Sequence, residues 1–121
     1  MERDKVNLAE KFALINKAWH PHIVGELNGQ EVKLAKFKGD FPWHKHEHED
    51  EMFLVIEGEI KIALESKTIN LKAGEFYIVP KNTMHAPSAT KEASVLLFEP
   101  QSTKNTGDLQ NEFTREHLPR I

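Results

Sequence analysis

The chain of 121 residues carries a formal net charge of −3, contains no cysteine, and mixes lysine with glutamate along its length. That length fits one domain with a real core, and without cysteine there can be no disulfide, thiolate zinc site or cysteine nucleophile, so any metal must be held by nitrogen and oxygen. No basic stripe suits nucleic acid or an anionic membrane, no apolar run approaches the ~20 residues of a membrane span, and the charged start "MERDKVNLAEKF" lacks the apolar core of a signal peptide; the expectation is a cytoplasmic protein with small-molecule or protein partners.

In "NLAEKFALINKA", Asn7 can cap a helix, and Leu8, Phe12 and Ile15 recur at near-helical spacing, which predicts one short N-terminal helix. The texture then changes. "HIVGEL", "EVKLAKF", "EMFLVIE", "EIKIALE", "TINL", "EFYIVP" and "ASVLLFE" are short apolar segments separated by turn residues, the pattern of an all-β sandwich or barrel. His20 and His22 form an H-x-H pair ahead of the first of these, but no carboxylate leading into an apolar strand follows them, and they read as ordinary histidines. Asn28-Gly29 marks a tight hairpin, because both residues tolerate the positive φ that a two-residue turn demands.

The next stretch, "FPWHKHEHEDEMFLVIEGEI", places three histidines and four acids in the eight positions from His44 to Glu51. Successive strand side chains point to opposite faces, so His44 and His46 look the same way and their imidazoles can converge. Glu51 heads an apolar strand, where an inward carboxylate costs several kcal/mol unless a cation or strong donors compensate it. Glu47, His48, Glu49 and Asp50 read as an exposed charged loop. Lys36 and Lys38 share strand parity with His44 and His46, which would let one of them reach inward toward an anionic substrate group. Phe53 and Val55 share the strand face of Glu51, and Phe41, Trp43, Phe76 and Tyr77 lie close in sequence to the cluster as further wall candidates.

The run "FLVI" is continuously apolar and predicts a strand buried on both faces, whereas Ile60, Ile62 and Leu64 alternate with Lys61 and Ala63 and predict one core face. Gly58 and "KAG" at 72–74 mark turns. His85, after "VPKNTM", is a fourth candidate ligand that needs a fold to bring it to the cluster. Beyond Pro100 the composition turns polar, and Phe113 and Leu118 are the expected anchors of a tail lying over the barrel or across a partner subunit. The expected organisation is an N-terminal helical segment at 1–20, a β-barrel at 21–100 and a C-terminal tail at 101–121.

Across residues 36 to 98 the sequence resembles the small single-domain cupins of the RmlC-like superfamily. The first cupin motif, G-x5-H-x-H-x3,4-E-x6-G, is followed by Gly39, His44, His46, Glu51 and Gly58, with four residues in place of five before the first histidine. The second, G-x5-P-x-G-x2-H-x3-N, is followed by Gly74, Pro80 and His85, with Asn82 for the usual glycine and Ala89 for the usual asparagine. Asparagine tolerates left-handed backbone better than most residues, so the turn at Asn82 survives the exchange. Pairing His46 with His48 would leave only two residues before Glu51 and break the motif. The resemblance implies a double-stranded β-helix, or jelly-roll barrel, with one divalent metal held by His44, His46, Glu51 and His85, and a homodimer. Such a ligand set suits Fe, Mn, Ni, Co or Zn and points to dioxygenase, isomerase or lyase chemistry on a small organic acid, sugar or enol-type substrate, with a non-catalytic ligand-binding cupin as the alternative. No catalytic residue is identified, and no organic cofactor is implied.

Overall fold

A computed structural model describes residues 4–121. Helix α1, Leu8–Phe12, starts where Asn7 Oδ1 accepts from the Glu10 amide, and it is shorter than the apolar spacing suggested. Tighter i to i−3 hydrogen bonds at Leu14 and Ile15 end it, and still carry Ile15 into the core alongside Phe12.

Seven strands follow among the described residues: β1 His22–Leu27, β2 Gln30–Asp40, β3 Glu51–Glu57, β4 Glu59–Leu64, β5 Thr68–Lys72, β6 Phe76–Val79 and β7 His85–Pro100. β1 and β2 form a hairpin whose turn residues, Asn28 and Gly29, have φ of 49° and 81°. The main leaf runs β1-β2-β7-β3-β6, with β5 paired to β4 and β4 to β7. β7 joins the leaves: its first residues, His85–Ser88, pair with β4, and its second half pairs with β2 and β3. The sequence pattern announced only the second half of this strand, because "HAPSATKE" is polar and contains a proline.

The core fills the space between the leaves with Phe37, Phe53, Val55, Ile60, Ile62, Val79, Val95 and Leu97. β3 corrects the expectation of burial on both faces: Phe53 and Val55 are buried, while Leu54 and Ile56 on the opposite face are only half-buried. Helix α1 covers Ile56 in a small second cluster with Phe12, Ile15 and Leu34. No helix among the described residues is long and apolar enough to cross a membrane.

Candidate metal centre

Two backbone hydrogen bonds seat the first pair of histidines. His44 N donates to His85 O at 3.0 Å and His85 N donates back to His44 O at 2.9 Å, so the two residues face each other across a single antiparallel bridge. The sequence separation between His85 and the other candidate ligands is closed by this bridge, and the two rings lie with centroids 4.3 Å apart. Each ring is then locked by its own local loop. His44 Nδ1 lies 2.9 Å from Pro42 O and His85 Nδ1 lies 2.8 Å from Thr83 O. A carbonyl only accepts, so each Nδ1 carries the proton and each Nε2 keeps a free lone pair.

His46 and Glu51 complete the cluster. His46 Nε2 sits 3.2 Å, and His85 Nε2 3.5 Å, from Glu51 Oε1, and all four residues are buried. The four ligand atoms lie within 4.8 Å of one another. Yet His46 Nε2, Glu51 Oε1 and His85 Nε2 are buried without a properly aligned hydrogen-bond partner. Nδ1 of His46 has no partner either, and buried polar atoms left unsatisfied in a low-dielectric interior are costly, a cost that a cation bound among them removes. Three nitrogens and one carboxylate oxygen therefore could hold a divalent first-row metal.

The electrostatics agree. Burial, and then the neighbouring His85, pushes His44 down to about 4, so it is neutral at pH 7. Burial acts to raise the Glu51 carboxyl, but His46 and His85 beside it more than offset that and hold it well below the usual range. A neutral imidazole at His44 and an ionised carboxylate at Glu51 are the states that ligate a metal.

The remaining sequence candidates divide cleanly. His48 is exposed, Glu49 accepts from Ser102 and Asp50 caps the Lys81 amide, so the charged loop stays outside the cluster. His20 contacts Arg115 and takes no part either. Phe41 and Phe53 do wall the site, whereas Trp43 and Phe76 point to solvent. Lys36 and Lys38 are corrected: Lys36 pairs with Glu92 on the outer surface at 3.6 Å, and Lys38 is exposed. A register shift between Phe37 and Gly39 breaks the parity that linked them to the histidines.

The lysine that does point inward is Lys33. It is 2% exposed, its Nζ lies 2.8 Å from Glu99 Oε1 and 3.7 Å from Glu31 Oε1, and it lines a cavity of about 30 Å³ shared with His44, Glu51 and Glu99. Aromatic rings of Trp19, Phe37, Phe41 and Phe53 form the other walls, and Asn105 and Leu118 contribute from the C-terminal segment. That segment is held down by ring contact of Phe113 on Phe41 at 5.3 Å and by Gly107. Gly107 has φ of 61°, and a Cβ there would fall 2.0 Å from Lys45 O, so only glycine lets the chain pass this close to His46.

Residues 30–99 match the family model described as Cupin domain. The chain is 39% identical over 78 residues to the uncharacterized protein YdbB of Bacillus subtilis (strain 168), covering 61% of this chain and 69% of that one. It is 35% identical over 60 residues to the pectin degradation protein KdgF of Dickeya dadantii (strain 3937), covering 48% of this chain and 54% of KdgF. A crystal structure of a cupin-2 domain containing protein from Shewanella frigidimarina NCIMB 400 superposes with a TM-score of 0.78 at 41% identity, over 79% of this chain and 94% of that one. The motif spacing, the jelly-roll pairing and a family match over more than half of its length make this chain a member of the cupin family, in its small single-domain form.

Proposed function

We propose that this cupin is a metal-dependent enzyme acting on a small organic acid, sugar or enol-type substrate, in the dioxygenase, isomerase or lyase class, with His44, His46, Glu51 and His85 holding one divalent ion. The observation that carries this reading is the cavity that opens directly onto His44 and Glu51, since a storage site has no need of a shaped space beside its ligands. A divalent ion held there would supply Lewis-acid polarisation of a substrate oxygen or, for a redox-active metal, electron transfer. The chain's own contribution is geometry and dryness. The Pro42 and Thr83 carbonyls keep the His44 and His85 rings turned inward, and the aromatic walls exclude water around the reacting group. Likeness to a pectin degradation protein is in keeping with a sugar-derived substrate.

The test is turnover of a panel of small sugar acids, enols and phenols by metal-loaded and metal-free protein. Metal-dependent product formation supports the enzyme. The second reading, a non-catalytic ligand-binding cupin, is favoured by the small size of the cavity, and it predicts tight ligand binding with no product from any member of the panel.

We also propose that the chain pairs with a second copy through the outer face of the main leaf. Val32, Phe98, Met52 and Ile78 stand in one register row, and Leu54 stands opposite Phe76 in the next. None of the six belongs to either core cluster, and Phe76 and Ile78 are 58% and 49% exposed. An apolar face of this extent marks an interface, and an identical uncharged face covers it without stranding a charge. Light scattering should give a dimer for the native chain and a monomer for Phe76→Lys/Ile78→Lys; a native monomer at micromolar concentration would refute this.

A further inference from the structure

The cavity beside the cluster has a volume of about 30 Å³, room for roughly one or two waters, whereas organic ligands occupy pockets of roughly 300–1,000 Å³. For a ligand to enter, part of the wall must move. Most of the wall stands on β2, β3 and β7, whose ladders hold it, but Asn105 and Leu118 come from the segment that follows β7. Both ends of that segment are tied to the barrel. The Gln101 amide donates to Gly29 O at 3.0 Å, and at the other end the Ile23 amide donates to Pro119 O at 2.9 Å. Between these anchors the segment bonds to itself. Asn105 Nδ2 donates to Phe113 O, Asn105 Oδ1 accepts from the Arg115 amide, and Thr106 Oγ1 lies 2.8 Å from Thr114 Oγ1. A loop ordered by its own bonds can lift as a unit about its two ends.

Among the described residues, one hydrogen bond joins the body of this loop, 104–118, to the rest of the chain: Arg115 Nη2 lies 3.0 Å from His20 Nε2. A guanidinium only donates, so His20 Nε2 accepts, and the ring is neutral while the bond stands. Arg115 Nη1 turns back to the carbonyls of Glu112 and Thr114 in its own loop. Ring contact of Phe113 on Phe41 is the apolar hold on the loop. We propose that residues 104–118 form a lid over the cavity, that the Arg115–His20 hydrogen bond latches it, and that protonation of His20 releases it. Such a lid would serve a catalytic and a purely binding cavity alike, so it does not depend on the enzyme reading above. Arg115 on the lid, Lys17 in the segment before β1 and His22 on β1 are the charged and titratable groups that face the His20 ring. Burial first, and then these three, lower its pKa from 6.5. The open state, in which the ring is solvated, therefore takes up the proton first. Closure is fully favoured above about pH 6.5 and is lost as pH falls through the lower value of the closed state, where a second donor and a second cation replace the acceptor.

The experiment is acrylamide quenching of Trp19, which lines the cavity and is 8% exposed, in a Trp43→Phe background that removes the exposed tryptophan. Quenching is measured together with the fluorescence lifetime, so that any effect of the neighbouring His20 on the emission itself divides out. The quenching constant should rise about fivefold between about pH 7.5 and about pH 5, the factor set by loss of one hydrogen bond. Adding His20→Gln, which offers Arg115 an acceptor that takes no proton, should leave it low at both pH values. Adding Arg115→Met, or Phe113→Ala, should raise it several-fold at about pH 7.5, where His20 is neutral. No rise with acid, or the same rise in His20→Gln, overturns the latch. A Trp19 that stays shielded in both Arg115→Met and Phe113→Ala overturns the lid. The readout needs neither metal nor turnover, so failure of the enzyme reading would be seen separately.

Discussion

Two groups of buried charge share the inside of this barrel, and they are built differently. Lys33 and Glu99 are joined by a hydrogen bond at 2.8 Å, and burial and the neighbouring Glu51 push the Glu99 carboxyl well up. The cluster of His44, His46, Glu51 and His85 gathers its ligand atoms within 4.8 Å, and His46 Nε2, Glu51 Oε1 and His85 Nε2 lack an aligned hydrogen-bond partner. A hydrogen-bonded pair is stable as it stands, and breaking it is costly. A cluster of converging ligand atoms leaves buried polar atoms unsatisfied, and a cation would satisfy them. The first is a structural element; the second could bind a metal.

The largest effect that sharpens the contrast is expected from the single change Glu99→Leu, which takes from Lys33, at 2% exposure, its hydrogen-bonded partner and leaves only Glu31 at 3.7 Å, and should cost about 3 kcal/mol in urea unfolding. A loss below about 1 kcal/mol would mean that the pair is not the closed unit described here.

Acid should act on the cluster next. In the metal-free protein His44 faces His85, His46 and Glu51, and burial lowers its pKa from 6.5 to about 4. The unfolded chain therefore takes up the proton first. The stability tied to neutral His44 is fully present above pH 6.5 and is lost as pH falls through 4, a change on the order of 3 kcal/mol. Unfolding measured at pH 7 and pH 4 should show a smaller difference in His44→Gln than in the native chain.

Glu51→Gln tests the opposite member of the comparison. It removes the carboxylate that His46 and His85 hold ionised, so metal-free stability should fall by about 1–2 kcal/mol. Metal should then stabilise the native chain by about 2.7 kcal/mol at a hundredfold excess over its Kd, and the variant by much less at the same concentration. The smallest effect is expected from His48→Ala, since that side chain is 84% exposed: stability and metal content should both be unchanged, within about 0.5 kcal/mol for the former. A loss of metal there would move the site outward to the loop.

The fold and the convergence of His44, His46 and Glu51 were legible in the sequence because each rests on local spacing. Asn28-Gly29, Gly58 and Gly74 set turns, and the H-x-H-x4-E run fixes which side chains share a face at the head of β3. His85 became readable through the family motif alone, since a bridge between distant loops has no local signature. The Lys33–Glu99 pair was not legible, for a physical reason. In "EVKLAKF" the two-residue alternation presents Val32 and Leu34 as the core face, and the fold inverts it: Glu31 and Lys33 turn inward, Leu34 is covered by α1, and Val32 faces outward. A charged residue inside is stable only through a partner 66 positions away, which no reading of a single strand reveals. Lys36, which parity with His44 and His46 placed inside, lies beside Glu92 because the register shift between Phe37 and Gly39 breaks that parity.

The most direct measurement is elemental analysis of the untagged protein as purified and after anaerobic reconstitution, beside His44→Ala and His85→Ala. About one equivalent of a divalent metal in the native chain, lost in both variants, is the predicted result, because the two histidines lie far apart in sequence and meet only at this site. A native chain that holds no metal after reconstitution, or variants that keep it in full, would contradict the account.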